Sequence, residues 1–521
     1  MMFKARHRNT VVIGLTAAFA LSLTSCTASS EPAKSRPEKA TFVLSVLPST
    51  LDPALLADHT RSAARFLYDP LINRVDGKTV SGLASKWEIT STSATFTIRD
   101  GITCSDGTPL TAKTVARNLE HIKLPETAAP LTSSYIGTTN YTVSTDDGTK
   151  TVKLTLNRPT SFLEQTIVNG PLIVCDSGLD NPASLKTGSA GTGPYKVKSA
   201  GGGGPLVMEK RDGYDWGADG STNNDLPPTV EFRAVEDSDS AANLLVTGEA
   251  DAGLLTGAPL NRVISSSNAT EHVATELSVG LMFNERPGFP GADKDIRAAV
   301  AQALNRDEYA TVASDGLGKR ADSISQSKTM CFTPDLASSV PTGGTKAAES
   351  SLQKSGWTRN ANGIFEKNGK KLSLRVLLYG TSQAGGELVR SQLATFGIDA
   401  VIDSRPEGDA ATVLFAGSEW DAAFIGLGRD VPYTSLFTGA APEAGGLNFS
   451  AISNAEYDSL LAEANQKTGQ DSCPSYQSAE KIMLKEVHWV PLVTQNLSWV
   501  SSKFDFNNNS ILINPTSVSP R

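Results

Sequence analysis

The sequence has 521 residues, with 47 lysines and arginines against 55 aspartates and glutamates, which gives a formal net charge of −8 at pH 7. This acidic balance argues against a protein that binds nucleic acid or wraps an anionic membrane surface. The length exceeds what one hydrophobic core usually holds, and it therefore predicts two or more lobes.

The N-terminal segment has the pattern of an export signal. Basic residues precede an apolar run, Val11 to Leu23, which is shorter than the roughly 20 residues that a membrane-spanning helix needs. The residues Leu23-Thr24-Ser25-Cys26 resemble a bacterial lipobox, in which the cysteine becomes a lipid-modified N-terminus. We therefore predict a signal peptide over 1–25, a lipid anchor on Cys26 and a flexible tether over 26–39. A plain signal peptide with an incidental cysteine is the alternative.

The first half of the remaining chain alternates between strand and helix patterns. Residues 40–47 form a short apolar run typical of a buried strand, and residues 94–98 alternate as a half-buried strand does. Thr111 is a candidate N-cap for a helix whose apolar residues recur at i, i+4 and i+7.

The second half switches between helical and strand periodicity. Asp295 is a candidate cap for a helix, and residues 372–379 read as a strand. A helix that ends at Gly397 and a strand over 398–402 follow, which predicts a βαβ unit. The whole pattern is typical of an α/β protein in at least two lobes.

Four cysteines remain once the signal and the anchor are set aside, and these are Cys104, Cys175, Cys331 and Cys473. An even number of cysteines in an oxidising, exported compartment predicts disulfides, and four cysteines allow three pairings. Metal binding is less favoured because no CxxC or CxH spacing occurs.

Motifs of catalysis are missing from the sequence. It has five histidines, and none stands at metal-ligand spacing from another histidine or a cysteine. The run "GSAGTGPYK" at 188–196 has the glycines of a phosphate loop, but Pro194 and Tyr195 replace the lysine and hydroxyl residue that the loop requires. We therefore expect no enzyme activity, no cofactor and no metal site.

A series of segments then resembles one known family along most of the chain. They are "STLDPAL" (49–55), "FLYDPLI" (66–72), "TFTIRDGITCSDGTPLTAKTVA" (95–116), "GTGPYKV" (191–197), "YDWGADG" (214–220), "GEADAGLL" (248–255), "FNERPGFPGADKDIRAAVAQALNRDEY" (283–309), "LATFGIDAVI" (393–402), "EWDAAFIG" (419–426) and "WVPLV" (489–493). Together they resemble the family 5 extracellular solute-binding proteins of ABC importers, the oligopeptide-, dipeptide- and nickel-binding group.

The resemblance implies a two-lobed periplasmic-binding-protein-like fold of type II, with mixed sheets and a hinge between the lobes. Lobe I is expected over 40–270, with an extra subdomain inserted at about 76–184. Lobe II is expected over 271–484, and residues 485–521 are expected to return to lobe I. This layout favours the disulfide pairs Cys104–Cys175 and Cys331–Cys473, because each pair then lies within one lobe.

The resemblance also implies candidate ligand contacts. In peptide-binding members an aspartate that follows a "D-x-A-x-x-G" strand pairs with the ammonium group of the peptide, and Asp430 stands at that place here. Arg429, Gly426 and Leu427 are its neighbours; Arg429 is as well placed to receive a ligand carboxylate, and Leu427 replaces the aromatic residue that peptide binders often carry. Other candidates by analogy are Val46, Leu47, Pro48, Tyr135, Met282, Phe283 and Asn284.

The implied function is capture of a solute between the lobes and its delivery to the permease and ATPase subunits of an ABC importer. We expect a monomer that lies outside the cytoplasm, is anchored to the cell membrane through Cys26 and binds a peptide. A non-peptide solute such as a sugar or a metal chelate is one alternative, although no histidine lies within 420–437. A surface lipoprotein of the same fold that serves signalling or interaction is another.

Overall fold

The structure is a computed structural model, and it describes residues 37–56, 58–123, 136, 140–168, 170–417, 419–428, 431–432, 434, 436–444 and 446–521. The predicted signal peptide and Cys26 lie outside the described residues. None of the helices in the described part of the chain combines the length and the hydropathy that are needed to cross a membrane.

Twenty-four strands occur in the described residues. They are β1 (Lys39–Leu44), β2 (Ile72–Val75), β3 (Lys78–Ser81), β4 (Ala84–Ile89), β5 (Ser93–Ile98), β6 (Tyr141–Asp146), β7 (Thr151–Leu156), β8 (Tyr195–Ser199), β9 (Leu206–Lys210), β10 (Thr229–Ala234), β11 (Ala252–Thr256), β12 (Thr270–Phe283), β13 (Lys319–Arg320), β14 (Thr358–Arg359), β15 (Phe365–Lys367), β16 (Lys370–Lys371), β17 (Ser373–Leu378), β18 (Asp399–Asp403), β19 (Ala422–Leu427), β20 (Trp489–Ser501), β21 (Phe504–Asp505), β22 (Asn508–Asn509), β23 (Leu512–Ile513) and β24 (Ser519–Pro520).

Thirteen α-helices occur in the same residues. They are α1 (Asp58–Ala64), α2 (Ala112–His121), α3 (Leu163–Val168), α4 (Asp176–Asp180), α5 (Ser238–Thr247), α6 (Gly257–Ser266), α7 (Lys294–Ala303), α8 (Arg306–Ala313), α9 (Gly344–Lys354), α10 (Gln383–Phe396), α11 (Glu407–Ala416), α12 (Ala455–Ala464) and α13 (Cys473–Lys485).

One large mixed sheet runs through the molecule in the order β18-β17-β19-β12-β20-β11-β1-β10-β9-β8, and β13 also pairs with β20. One edge is the parallel pair of β17 and β18, and a second parallel pair, β1 with β10, is followed at the other edge by the antiparallel strands β9 and β8. Its centre is the antiparallel pair of β12 and β20, which are 14 and 13 residues long. The expectation of a mixed sheet is therefore confirmed.

The two central strands pass through two separate hydrophobic cores. The lobe I core holds Ala274 of β12 and Trp499 of β20, and it is centred on Phe42, whose ring stacks on Phe232 at 5.1 Å. The lobe II core holds Leu281 and other residues from the opposite ends of the same strands. This arrangement gives the two-lobed α/β architecture that the sequence predicts, while the residue boundaries of the lobes stay a prediction.

A smaller antiparallel sheet, in the order β4-β5-β7-β6, has a core of its own. It lies within the segment predicted as the inserted subdomain. Helix α2 packs on it, and Thr111 caps that helix as predicted by accepting a hydrogen bond from the amide of Thr114 at 3.1 Å.

Both favoured disulfides are present, Cys104–Cys175 and Cys331–Cys473. They close loops of 71 and 142 residues. In the chain-entropy model each cross-link stabilises the fold by roughly 4 to 5 kcal/mol, because it restricts the unfolded chain.

Two of the helix ends predicted in the second half are tested directly. Helix α10 ends at Gly397, which has φ +100° and donates its amide to Leu393 O at 2.9 Å, as the pattern predicts. The cap of α7 is Asp293 and not Asp295, because the Asp293 carboxylate accepts the amide of Asp295 at 2.9 Å. Asp295 lies in the first turn of the helix instead.

Three of the family-like motifs meet at one buried carboxylate, that of Asp69. It accepts hydrogen bonds from Tyr214 Oη at 2.9 Å, Thr192 Oγ1 at 3.1 Å and Trp216 Nε1 at 3.2 Å. Burial raises the pKa of the Asp69 carboxyl above its ordinary value, while the charge of Arg65 and the three donors act in the opposite direction. The motifs "YDP", "GTGP" and "YDW" are thus joined by side-chain hydrogen bonds to one carboxylate.

Candidate ligand-binding cavity

A cavity of about 770 Å³ opens where the inserted subdomain, the central sheet, the C-terminal hairpin and lobe II come together. Its four walls are formed by residues that are far apart in sequence. The subdomain wall consists of Arg74, Asp76, Gly77 and Gln165, and the sheet wall consists of His272, Val273 and Ala274. The hairpin wall consists of Phe506, Asn507, Asn508, Asn509 and Ser510. The lobe II wall consists of Ser327, Lys328, Thr329, Met330, Cys331, Phe332, Gln470 and Gln477.

The sheet wall is the first part of β12, where the strand has no neighbour from β19. The pairing of β12 with β19 begins only at Ser278, whereas its pairing with β20 extends back to Thr270. His272 lies in this stretch and stacks on Phe506 at 4.5 Å. Its Nε2 is 3.3 Å from the Asp505 carboxylate, and burial lowers the pKa of His272, against the opposing effect of Asp505.

The C-terminal hairpin of β22 and β23 closes the same side. Asn508 donates from Nδ2 to Val273 O at 3.2 Å and to Ser510 O at 2.8 Å, so the hairpin is tied to β12. These bonds hold the run of three asparagines, Asn507 to Asn509, along the cavity wall.

The subdomain wall is the turn between β2 and β3. Asp76 and Gly77 occupy this two-residue turn with φ +49° and +76°, the left-handed conformation that an Asp-Gly hairpin turn requires. The turn places Arg74 and Asp76 at the cavity. Gln165 of α3 completes this wall.

The lobe II wall is the irregular segment from Ser327 to Phe332. The Cys331–Cys473 disulfide fastens it to α13, and Gln477 of the same helix donates from Nε2 to Cys331 O at 3.1 Å. Lys328 is exposed on this segment, and no hydrogen bond or ion pair in the described part of the chain engages its ammonium group.

The lining is polar and rich in amides. Side-chain amides come from all but the sheet wall, and the described charged groups of the lining are those of Arg74, Asp76 and Lys328. Amides both donate and accept hydrogen bonds, so such a wall suits a ligand with many backbone-like groups or one that retains water at its surface. In the described residues no group of three or more His, Cys, Asp or Glu side chains comes together as metal ligands.

The sequence model of the bacterial extracellular solute-binding proteins, family 5 Middle, matches residues 78–445 of the chain. The chain belongs to this family. Among curated proteins, this family 5 protein is 24% identical to the glutathione-binding protein GsiB of Salmonella paratyphi A, over 87% of the chain and 88% of the relative. It is also 24% identical to the probable D,D-dipeptide-binding periplasmic protein DdpA of Escherichia coli, over 88% of each.

One solved structure shows a similar level of sequence identity to the chain. It is a substrate-binding protein from Microbacterium hydrocarbonoxydans in complex with 4-hydroxybenzoate hydrazide, with 27% identity and a TM-score of 0.79. The match covers 93% of the family 5 chain and all of the solved one.

None of the described candidate contacts lines the cavity of this family 5 protein. Val46 is 46% exposed at the end of β1, Leu47 packs against the lobe I core and Pro48 is half-buried. Gly426 is half-buried on β19, and Leu427 is buried in lobe II. Tyr135, Arg429 and Asp430 lie outside the described residues, and their roles stay a prediction.

Met282, Phe283 and Asn284, which are expected to face the cleft, do not line this cavity. All three are 0% exposed; the side chain of Met282 lies in the hydrophobic core that also holds Trp420, and that of Phe283 lies in the core that also holds Leu281. Asn284 has a structural task, since its Nδ2 donates to Gly417 O at 2.7 Å and to Trp420 O at 3.0 Å.

Sequence reasoning missed the whole lining of this family 5 cavity. Two signals could have pointed to parts of it. The polar run "FNNNS" at 506–510 follows an apolar strand close to the C-terminus, and Cys331 stands in a segment with neither helical nor strand periodicity.

Proposed function

We propose that the chain captures a short peptide in the 770 Å³ cavity and delivers it to the membrane subunits of an ABC importer. The cavity carries the proposal. Its volume lies within the range of roughly 300 to 1,000 Å³ that is usual for ligand sites, and its walls come from both lobes and the inserted subdomain. Its amide-rich lining matches the alternating donors and acceptors of a peptide backbone.

The relatives support a small peptide as the ligand class. GsiB is named for glutathione, which is a tripeptide, and DdpA for D,D-dipeptides. The aromatic hydrazide in the Microbacterium structure supports a second candidate, a small non-peptide solute with an acyl hydrazide or amide group. The lipid anchor on Cys26, the contact between Asp430 and a ligand ammonium group, and the role in import remain parts of the proposal.

Thermal unfolding in the presence of defined ligands tests the capture step. We expect the melting temperature to rise with di- and tripeptides, glutathione among them, because a ligand that binds only the folded state stabilises it. The gain is about 2.7 kcal/mol when the ligand is at 100 times its Kd. A larger rise with 4-hydroxybenzoate hydrazide would favour the second candidate. No rise with any of these ligands at millimolar concentration would contradict the proposal.

A charge reversal in the wall tests the location of the site. Lys328→Glu reverses a lining charge, so we expect it to change the affinity for ligands that carry a carboxylate. Lys346→Glu is the matched control, because Lys346 is an exposed lysine on α9 that does not line the cavity. Equal affinities in wild type and Lys328→Glu would place the ligand elsewhere.

A further inference from the structure

The lobe II wall of the cavity needs external support to keep its shape. The segment from Ile324 to Phe332 is neither helix nor strand, so no regular ladder of hydrogen bonds satisfies its backbone. Cys331 adopts φ +70°, in the left-handed region that a non-glycine residue rarely occupies. Backbone hydrogen bonds within the segment form turns only, such as that from Thr329 N to Gln326 O at 2.9 Å, so groups outside the segment also hold its conformation.

Helix α13 supplies these groups from one face. The Glu480 carboxylate accepts the amides of Ile324 at 2.7 Å and Ser325 at 2.9 Å on one oxygen, and Ser325 Oγ at 2.7 Å on the other. Cys473 forms the disulfide with Cys331, and Gln477 donates to the Cys331 carbonyl. Residues 473, 477 and 480 are spaced i, i+4 and i+7, so they share a helix face.

The same segment is connected to the end of β19. Gln326 is 4% exposed, and its Nε2 donates to Ile324 O and to Leu427 O, both at 2.8 Å. A displacement of Ile324 would therefore alter the hydrogen bond between Gln326 and Leu427 O. Leu427 precedes the predicted ligand-contacting residues 429 and 430 in the chain.

We propose that Glu480 and the Cys331–Cys473 disulfide position the lobe II wall and thereby set ligand affinity; of these three residues only Cys331 lines the cavity. The proposal rests on the proposed function, since it concerns the same cavity. Neither Glu480 nor Cys473 lines that cavity, and Glu480 is 9% exposed. Both act through the shape of the segment that does line it.

Calorimetric titration with trialanine tests the proposal, because this peptide has no thiol that would reduce a disulfide. We expect Glu480→Ala and the Cys331→Ser/Cys473→Ser double variant to bind about tenfold more weakly than wild type, as expected of residues that modulate a site from outside it. Glu480→Gln retains one acceptor oxygen and should lie between wild type and Glu480→Ala. Wild-type affinity in folded Glu480→Ala would overturn the proposal.

The Cys104→Ser/Cys175→Ser double variant is the matched control. It also removes one disulfide and should lower the melting temperature, but neither of its cysteines lines the cavity. Its affinity for trialanine should equal that of wild type. A loss of affinity that followed the melting temperature in both double variants would show a structural role alone and would overturn the proposal.

Hydrogen exchange of the free protein gives a second measurement that needs no ligand. We expect the amides of 324–332 to exchange faster in Glu480→Gln and in Cys331→Ser/Cys473→Ser, while the β4–β7 sheet exchanges as in wild type. If wild type binds neither trialanine nor any of the other peptides, the peptide proposal fails and this measurement alone decides the positioning role. Unchanged exchange at 324–332 would then overturn it.

Discussion

At the scale of single residues, Asp69 is the group on which the stability of lobe I depends most visibly. It is 6% exposed, and its three hydrogen-bond donors come from side chains at positions 192, 214 and 216. Arg65, which is 8% exposed, places its positive charge near the same carboxylate. Removing the carboxylate would leave a buried cation and the hydroxyls of Tyr214 and Thr192 without this acceptor, while Trp216 Nε1 would keep its bond to Thr192 O at 3.1 Å.

We expect Asp69→Ala to reduce the free energy of unfolding by about 3 to 5 kcal/mol, the usual cost of removing one partner of a buried charge pair. Asp69→Asn retains one acceptor oxygen and should cost less. Urea denaturation followed by circular dichroism measures both. A loss below about 1 kcal/mol for Asp69→Ala would show that water takes over the role of the carboxylate.

The residues around Asp69 also show which roles can be predicted from the sequence. The motif "GTGPY" is typical of a tight turn, and the structure confirms that its role is structural. A Cβ on Gly191 or Gly193 would lie 2.1 Å or 2.4 Å from the backbone of Leu67. The partner of the motif, Asp69, is about 120 residues away in the chain, and no local pattern links the two.

At the scale of elements, two of the described helices that end on a left-handed glycine, α5 and α10, differ in the surroundings of that glycine. Gly397 ends α10 with φ +100°, and Gly248 ends α5 with φ +76°. A Cβ on Gly397 would lie 2.4 Å from Gly363 O, whereas a Cβ on Gly248 would have no atom within 4 Å. Substituting alanine at each of the two glycines therefore separates two costs. One is the cost of the left-handed backbone conformation for an L-residue, and the other is the cost of a steric clash with the added Cβ.

We expect Gly248→Ala to cost about 1 kcal/mol, which is the penalty for an L-residue in the left-handed conformation. Gly397→Ala should cost about 2 to 4 kcal/mol, since the backbone near Gly363 must also move. Thermal or urea unfolding of the two variants checks the difference. Equal losses would mean that the turn at Gly363 adapts without cost.

Elements were the level at which sequence patterns predicted best, because helix caps and strand periodicity are local. Thr111 marks the start of a helix and Gly397 marks the end of one, and both cap the helix by hydrogen bonds to residues no more than four positions away. The burial of the end of β12 could not be predicted for the opposite reason. Met282 lies in a hydrophobic core with Leu377 and Trp420, which follow it by about 100 and 140 residues in the chain.

The cavity could not be predicted for the same physical reason. Its walls take residues from positions 74–77, 272–274, 327–332 and 506–510, and only the folded chain brings these together. The disulfide that fastens one wall was implied by the family-like layout, since the four cysteines alone allow three pairings. The family was thus readable from ordered motifs, but the site was not.

At the scale of the whole molecule, β12 and β20 are continuous between the cores of the two lobes. Their pairing has irregularities between Val273 and Thr275 and between Val279 and Gly280, where the register shifts. Such bulges bend and twist a strand pair locally. The first irregularity lies beside the cavity-lining residues 272–274, so a bend at this point changes the width of the cavity.

We therefore expect ligand binding to close the lobes by a small rotation about this strand pair, as hinge closure around a ligand does in two-lobed receptors. Compact-chain scaling gives a radius of gyration of about 24 Å for a chain of this length. Small-angle X-ray scattering should show a smaller radius at saturating ligand than in the free protein. Addition of a peptide that causes no shift in melting temperature is the control and should leave the radius unchanged. If calorimetry reports binding while the radius stays the same, the strand pair does not act as a hinge, and the ligand enters a cavity whose walls are already in place.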